Sequence, residues 1–240
     1  MLIVPQKIKC RSNYSGLDSL QLCLDRQHFL NYSKKITYEY NSKGFRDHEW
    51  PEDLSDVIWC VGDSFTVGIG QPVEETWTRL LEKKIGKRCI NLGEDGCSND
   101  TISLRVKEIN KLYKPKLIIT MWSYLHRRRV DNKNVHVNKK DFGPVKDLEN
   151  FKKNFIEVNT LDCKIINLLI PNIFMFKANL KDFKCTKYIL QKKLNLEKNY
   201  LKNIDFIPQL DYARDYHHFD IKTSEYIVDL SIKKINDFDK

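Results

Sequence analysis

The stretch Val57-Ile58-Trp59-Cys60-Val61-Gly62-Asp63-Ser64-Phe65-Thr66 decides the fold of this 240-residue chain. Its first five residues are β-branched, aromatic or otherwise apolar, and they follow a polar segment, so they predict a buried strand. The run stops on Gly62-Asp63-Ser64, which predicts a turn with the serine at the carboxyl end of that strand. In an open parallel α/β sheet, ligands bind beyond the carboxyl ends of the strands. Ser64 is therefore a candidate nucleophile.

Further apolar runs alternate with helical segments along the chain, which is typical of parallel βαβ units. The later strands are predicted over 88–92, 116–122, 164–170 and 204–207. Helices are predicted over 72–84, over 99–113 behind a capping Ser98, and from about 223 to 235. We therefore expect an α/β fold of three layers, α/β/α, around a central parallel sheet of about five strands.

Three parts of the chain fall outside this alternation. Residues 1–50 are expected to form an N-terminal extension packed on the core, with a short edge strand over Thr37–Tyr40. Residues 51–240 are expected to form the α/β domain. Insertions near 126–147 and 172–203 either line the substrate cleft or are plain surface decoration.

The composition is that of a soluble globular protein, with 41% hydrophobic and 30% charged residues. The excess of 41 Lys+Arg over 32 Asp+Glu gives a net charge of +9. Because the lysines are scattered and form no single stripe, this charge favours general solubility over nucleic-acid binding. The longest apolar runs are too short to span a bilayer, and the first residues show no secretory signal, so no membrane association is expected.

The cysteines and histidines show no metal-binding spacing. Seven cysteines are an odd number without a Cys-x-x-Cys pair, which favours a reducing compartment and a cytoplasmic protein. Gly68-Ile69-Gly70 lacks the third glycine of a dinucleotide fingerprint. We therefore predict no metal and no cofactor.

A serine hydroxyl becomes a nucleophile when a base takes its proton and an acid orients that base. The segment Asp215-Tyr216-His217-His218 supplies both residue types. Spacing alone leaves His217 and His218 as rival bases. It also leaves open a surface Asp and His without a chemical role.

Three landmarks together resemble the SGNH (GDSL-type) hydrolase family. They are Gly62-Asp63-Ser64 after the first strand, a glycine-bearing turn after the second, and Asp-x-x-His before the last helix. That family has a three-layer, flavodoxin-like fold and comprises esterases, lipases and carbohydrate deacetylases. The resemblance covers the chain from residue 41 to its end. It implies that Asp215 and His218 serve Ser64, with His217 as a neighbour in the substrate cleft.

The resemblance also implies three donors for the oxyanion of acyl transfer. Two are the backbone N–H groups of Ser64 and of a glycine after the second strand, for which Gly96 fits better than Gly93. The third is an asparagine side chain after the third strand, and here the chain departs from the family. Ser123 stands at that position, either as a shorter donor or as a strand-end residue with no role.

Arg127-Arg128-Arg129 follows directly. Arginine forks bind carboxylates and phosphates, so Arg127 and Arg128 are candidates for binding an anionic substrate, although we favour a solvated basic turn. Taken together, these patterns predict a serine esterase acting on a small acyl ester, and the family resemblance alone implies an O-acetyl group on a glycan as that ester. The alternative is a catalytically weak or silent relative that binds a carbohydrate or a protein partner.

Overall fold

The computed structural model describes residues 11–136, 144–171 and 203–238. The strands in chain order are β1 Ile58–Gly62, β2 Cys89–Gly93, β3 Leu117–Trp122, β4 Arg127–Val130, β5 Lys133–His136, β6 Lys164–Leu169 and β7 Ile204–Phe206. The helices are α1 Arg26–Asn31, α2 Ser64–Val67, α3 Trp77–Ile85, α4 Asn99–Tyr113, α5 Pro144–Asn159 and α6 Ile221–Phe238.

Five strands form a parallel sheet in the order β2-β1-β3-β6-β7. Helices α3 and α6 contact each other, as do α4 and α5, so that helices cover the sheet in two pairs. Every residue of β1, β2 and β3 is buried, as expected of parallel strands covered on both faces. The predicted three-layer α/β/α fold with a central parallel sheet of about five strands is confirmed.

The register of the sheet brings three loops together. Gly62 at the end of β1 pairs with Gly93 at the end of β2, and β3 lies on the other side of β1. Because parallel strands end at the same edge, the chain segments that follow β1, β2 and β3 meet there. This edge carries Ser64, Gly96 and Ser123.

Large aromatic side chains pack the sheet against α4 and α5. The ring of Trp59 stacks on Tyr113 of α4 with centroids 4.8 Å apart, and Trp122 meets Phe151 of α5 edge-on at 5.5 Å. Such pairs bury large apolar areas and fix the helices on the sheet. The end of β3 is thereby held firmly, directly before Ser123.

The chain departs from the predicted elements in three places. The helix predicted over 72–84 is a 3-10 turn, Val73–Glu75, followed by α3, because Thr76 is extended and its hydroxyl donates to the carbonyl of Val73. The predicted edge strand Thr37–Tyr40 is an isolated bridge between Ser12 and Tyr38. The insertion predicted near 126–147 contains the hairpin β4–β5 and the start of α5, and its residues 137–143 lie outside the described residues.

The described part of the N-terminal segment contacts the α/β core through buried polar groups. Arg46, 2% exposed, donates from Nη1 to the carbonyls of Val67 and Gly68 and from Nη2 to that of Gln71. Those carbonyls belong to the end of α2 and to the loop that follows it. The division into an extension over 1–50 and a domain over 51–240 stays a prediction, and the predicted insertion over 172–203 lies almost wholly outside the described residues.

Candidate active site

A strand-to-helix turn presents Ser64. Asp63 caps α2 by accepting a hydrogen bond from the backbone N–H of Phe65 at 3.1 Å, so the chain turns directly after β1. A Cβ at position 62 would overlap the Thr66 hydroxyl, which explains why glycine stands before the Asp-Ser pair. Ser64 therefore begins α2 at the carboxyl edge of the sheet.

Ser64, His218 and Asp215 form one hydrogen-bonded chain. Ser64 Oγ lies 2.8 Å from His218 Nε2, and His218 Nδ1 lies 2.5 Å from Asp215 Oδ2. A carboxylate accepts hydrogen bonds, so Nδ1 carries the proton of the neutral ring and Nε2 accepts from the serine. The other carboxylate oxygen, Asp215 Oδ1, accepts the backbone N–H groups of His217 and His218, each at 3.0 Å. The three side chains thus have the geometry of a nucleophile, a base and an orienting acid.

The electrostatics of the pair suit a base of this kind. Burial by itself disfavours both charged forms, but the charge of His218 and the hydrogen bonds from His218 and His217 outweigh it and lower the pKa of Asp215. For His218, burial is likewise outweighed by the charge and hydrogen bond of Asp215, so its pKa is raised. The carboxylate therefore stays ionised and makes the imidazole a stronger base.

His217 has a different environment from its neighbour. Its Nε2 is hydrogen-bonded to the Tyr124 hydroxyl at 3.1 Å, and its ring meets that of His218 edge-on at 4.9 Å. Burial, together with the charge of His218, lowers the pKa of His217 to about 4. His217 is therefore neutral near pH 7 and lies beside the candidate site, while His218 holds the hydrogen bond to Ser64.

Two backbone amides fit the expected oxyanion donors. Within the described parts of the chain, the N–H groups of Ser64 and Gly96 donate to no protein acceptor. Gly96 is half-buried and has a φ of 73°. The N–H of Gly93, the weaker candidate, is taken by Asn91 Oδ1 at 2.9 Å. The geometry therefore favours Gly96 over Gly93.

Ser123 does not have the surroundings of an oxyanion donor. It is fully buried, and its hydroxyl donates to Asp63 Oδ2 at 2.7 Å and accepts from Arg127 Nη1 at 2.8 Å. A serine hydroxyl has one proton, and this one is held by a carboxylate. To serve an oxyanion, Ser123 would have to leave Asp63 without that hydrogen bond.

The interpretation of Arg127-Arg128-Arg129 as a solvated basic turn is wrong for its first two residues. Arg127 and Arg128 are each 6% exposed and lie in β4. Arg127 pairs with Asp63 at 2.8 Å, and Arg128 pairs with Asp147 at 2.5 Å. Both guanidinium groups hold internal carboxylates. The Arg128 group is thereby turned toward α5.

Sequence reasoning missed the contacts that hold the Asp215 loop. Asp18, fully buried, accepts from the Tyr38 hydroxyl at 2.5 Å and from Arg214 Nε and Nη2 at 2.7 Å. Arg214 directly precedes Asp215, and the N–H of Leu24 donates to the Asp215 carbonyl at 3.2 Å. The N-terminal segment therefore fixes the loop that carries the acid and the base. No local pattern around Asp18 announces this contact.

A close approach of two loops completes the support. Gly70, with a φ of 81°, lies so near the Asp215 loop that a Cβ there would overlap the side chain of Ala213. Its carbonyl accepts the N–H of Arg214 at 2.9 Å, and its N–H donates to the Tyr38 hydroxyl at 2.8 Å. Gly70, the second glycine of the incomplete dinucleotide fingerprint Gly68-Ile69-Gly70, thus allows the two loops to approach each other closely.

Comparisons with known proteins bear on the fold. No protein-family model matches the chain, and no curated protein matches it. Among solved structures, the psychrotrophic esterase EstA from Pseudoalteromonas sp. is similar with a TM-score of 0.50 and 16% identity, over 76% of this chain and 98% of that one. A lipolytic protein of the G-D-S-L family from Veillonella parvula is similar with a TM-score of 0.47 and 16% identity, over 73% and 96% of the two chains.

At such identities the likeness concerns the fold. The likeness to EstA agrees with the α/β fold that the resemblance implied. Within the described residues, no helix has both the length and the apolar character needed to cross a membrane. No three His, Cys, Asp or Glu side chains converge there in a way that could hold a metal ion.

Proposed function

We propose that this chain is a serine esterase that hydrolyses a small acyl ester through a covalent acyl-enzyme. The observation that supports it most directly is the hydrogen-bonded chain from Ser64 Oγ through His218 to Asp215, with distances of 2.8 and 2.5 Å. It lies at the sheet edge where parallel α/β folds bind ligands. Two uncommitted amides, those of Ser64 and Gly96, flank the same edge.

In the proposed reaction, Ser64 Oγ attacks the ester carbonyl carbon while His218 Nε2 takes the hydroxyl proton. The carbonyl π pair moves onto oxygen, and the amides of Ser64 and Gly96 donate to that oxyanion. The pair then re-forms the carbonyl, the bond to the alcohol oxygen breaks, and His218 gives its proton to the departing alcohol. Water repeats the two steps on the acyl-enzyme and releases the acid and free Ser64.

The site supports a proposal about the class of substrate, an ester, and not about a particular ester. Ester cleavage follows from the nucleophile and its base, whereas an O-acetylated glycan as acyl acceptor follows from the family resemblance. The alternative function is binding of a carbohydrate or protein partner without turnover. Buried and aligned as they are, Ser64 and His218 favour the esterase, because a purely binding cleft gains nothing from an imidazole aimed at a serine hydroxyl.

A fluorophosphonate probe tests the proposed function. We expect the protein to hydrolyse p-nitrophenyl acetate and to lose that activity when one equivalent of probe is bound at Ser64. Peptide mass spectrometry would locate the adduct, and protein unfolded before labelling is the control. Absence of both turnover and labelling in folded protein would support the binding function instead.

The rate should depend on pH through His218. His218 acts as a base in its neutral form, so kcat/KM should rise with pH as the imidazole loses its proton. Because Asp215 raises the pKa of His218, the midpoint of this rise should lie above the ordinary 6.5. Asp215→Asn should lower the plateau by about 10⁴-fold. It should also move the midpoint downward, since burial then acts on the imidazole without the compensating charge. The measurement is kcat/KM of the wild type and of Asp215→Asn from pH 5 to 9, in steps of about 1 unit. Equal midpoints in the two proteins would contradict the proposed role of Asp215.

A further inference from the structure

Arg127 differs from the other buried arginines in its hydrogen bonds. Five arginine side chains lie on residues that are at most 9% exposed: Arg46, Arg79, Arg105, Arg127 and Arg128. In four of them both terminal nitrogens donate to protein acceptors. Arg127 donates from Nη1, to Asp63 and Ser123, whereas its Nη2 has no acceptor among the described residues. The Nε of Arg127 is fully buried without a partner, whereas Nη2 is not fully buried.

The guanidinium of Arg127 is fixed by the residue before Ser64 and by the segment after β3. Its Nη1 lies 2.8 Å from Asp63 Oδ2, on the residue directly before Ser64. It stacks on the ring of Tyr124, with Cζ 4.9 Å from the centroid, and Tyr124 is hydrogen-bonded to His217. An anchored ion pair and a ring face together restrict the side chain to one orientation.

Hydrogen bonds tie the segment that follows Gly96 to the same region. Asn99 Nδ2 donates to the carbonyls of Ser123 and Tyr124 at 3.1 and 3.4 Å, and the N–H of Ser123 donates to Asn99 Oδ1 at 2.8 Å. The contacts of Arg127 with Asp63, Ser123 and Tyr124 therefore place its guanidinium where the segments after β1, β2 and β3 meet.

We propose that Nη2 of Arg127 is the third donor to the oxyanion, in place of the side chain at position 123. This inference rests on the proposed esterase function. The Ser123 hydroxyl, whose proton goes to Asp63, acts with that carboxylate to hold the guanidinium in position. Ser123 is thus a positioning residue and Arg127 a catalytic one.

The physical basis is a preorganised, charged donor. As the Ser64 Oγ–carbon bond forms and the carbonyl pair moves onto oxygen, Nη2–H donates to that oxygen beside the two amides. A hydrogen bond with a charged donor and acceptor is about twice as strong as one between neutral groups. Because Asp63 balances the charge of Arg127 in the ground state, the substrate carbonyl meets a nearly neutral site, and the interaction strengthens as negative charge develops.

Arg127→Gln tests the inference, with Arg79→Gln as the matched control. Arg79 is similarly buried, is paired with Asp47 and Glu82, and also has a buried Nε without a partner, but none of these partners belongs to the proposed site. We expect Arg127→Gln to lower the single-turnover acylation rate on p-nitrophenyl acetate by about 10²–10³-fold with KM nearly unchanged. Arg79→Gln should lose stability comparably yet acylate at nearly the wild-type rate.

Arg127→Lys keeps the measurement informative if the glutamine variant does not fold. A lysine can still pair with Asp63 but lacks the planar fork that leaves a second nitrogen free. We expect a folded protein with acylation lowered by at least about 10-fold. Folding of every variant is checked by its melting temperature and near-ultraviolet circular dichroism.

Two results would overturn the inference while leaving the esterase function intact. One is wild-type-like acylation by either Arg127 variant. The other is a raised KM confined to esters that carry a carboxylate, with kcat unchanged, which would make Arg127 a ground-state anion binder. Wild-type protein that neither turns over nor binds the fluorophosphonate would instead refute the esterase function, and the donor role with it.

Discussion

Replacing Ser64 by alanine is expected to lower ester turnover by about 10⁶-fold, close to the uncatalysed rate. The loss follows because no other described hydroxyl is hydrogen-bonded to His218 Nε2. The fold should tolerate the change. Ser64 is buried, and the alanine removes one hydrogen bond and leaves almost no cavity, so a cost of about 1 kcal/mol in the free energy of unfolding is expected.

The measurement compares kcat with the melting temperature of the same preparation. Ser103→Ala is a suitable control, because Ser103 is also fully buried and its hydroxyl has no hydrogen-bond partner among the described residues. It should keep both activity and stability. Turnover by Ser64→Ala within about 100-fold of wild type would show that another group attacks the ester.

The backbone of this site could be predicted from the sequence because its signals are local. The apolar run over 57–61 ends at a glycine, and in the parallel sheet that the strand and helix alternation predicts, such a strand ends at the ligand-binding edge. The second strand and Ser98, whose side chain accepts from the N–H of Thr101, are equally local. These elements place Ser64 and Gly96 without knowledge of distant contacts.

The side-chain network around that backbone could not be predicted in the same way. The pair of Asp63 with Arg127 joins residues 64 positions apart, and that of Arg214 with Asp18 joins residues 196 apart. A run of three arginines after a strand looks like an exposed turn, since charged residues are rarely buried without partners. Only the folded chain shows that each partner is there.

The same long-range contacts give the N-terminal segment a part in the proposed chemistry. Asp18 holds Arg214, and Leu24 holds the carbonyl of Asp215, so the loop that aligns His218 depends on residues far outside the α/β alternation. Precise alignment matters because a displacement of about 1 Å at a catalytic group can cost 10²-fold in rate. The segment is therefore better regarded as a support of the site than as decoration.

Replacing His218 by alanine should cost about as much activity as replacing Ser64, and the double variant should be little worse than either. The reason is that every step of His218 depends on Ser64: without Ser64 no acyl-enzyme forms, and without His218 the serine stays protonated. Residues that act as a unit are therefore far from additive. The comparison uses kcat/KM of the two single variants and the double variant, with His217→Ala as the neighbouring control.

The stability of His218→Ala adds an independent check on the same pair. Because the pKa of His218 is raised in the folded protein, its charge with Asp215 stabilises the fold fully below about pH 6.5, and this part is lost as the pH rises through the folded pKa. The difference in unfolding free energy between wild type and His218→Ala should thus shrink with rising pH. The pKa of His217 is lowered to about 4, so its contribution to the free energy of unfolding should not fall between pH 6 and 9, measured in steps of about 0.5 unit. The His217→Ala variant should also keep most of the activity. A larger loss of activity in His217→Ala than in His218→Ala would assign the base to the other imidazole.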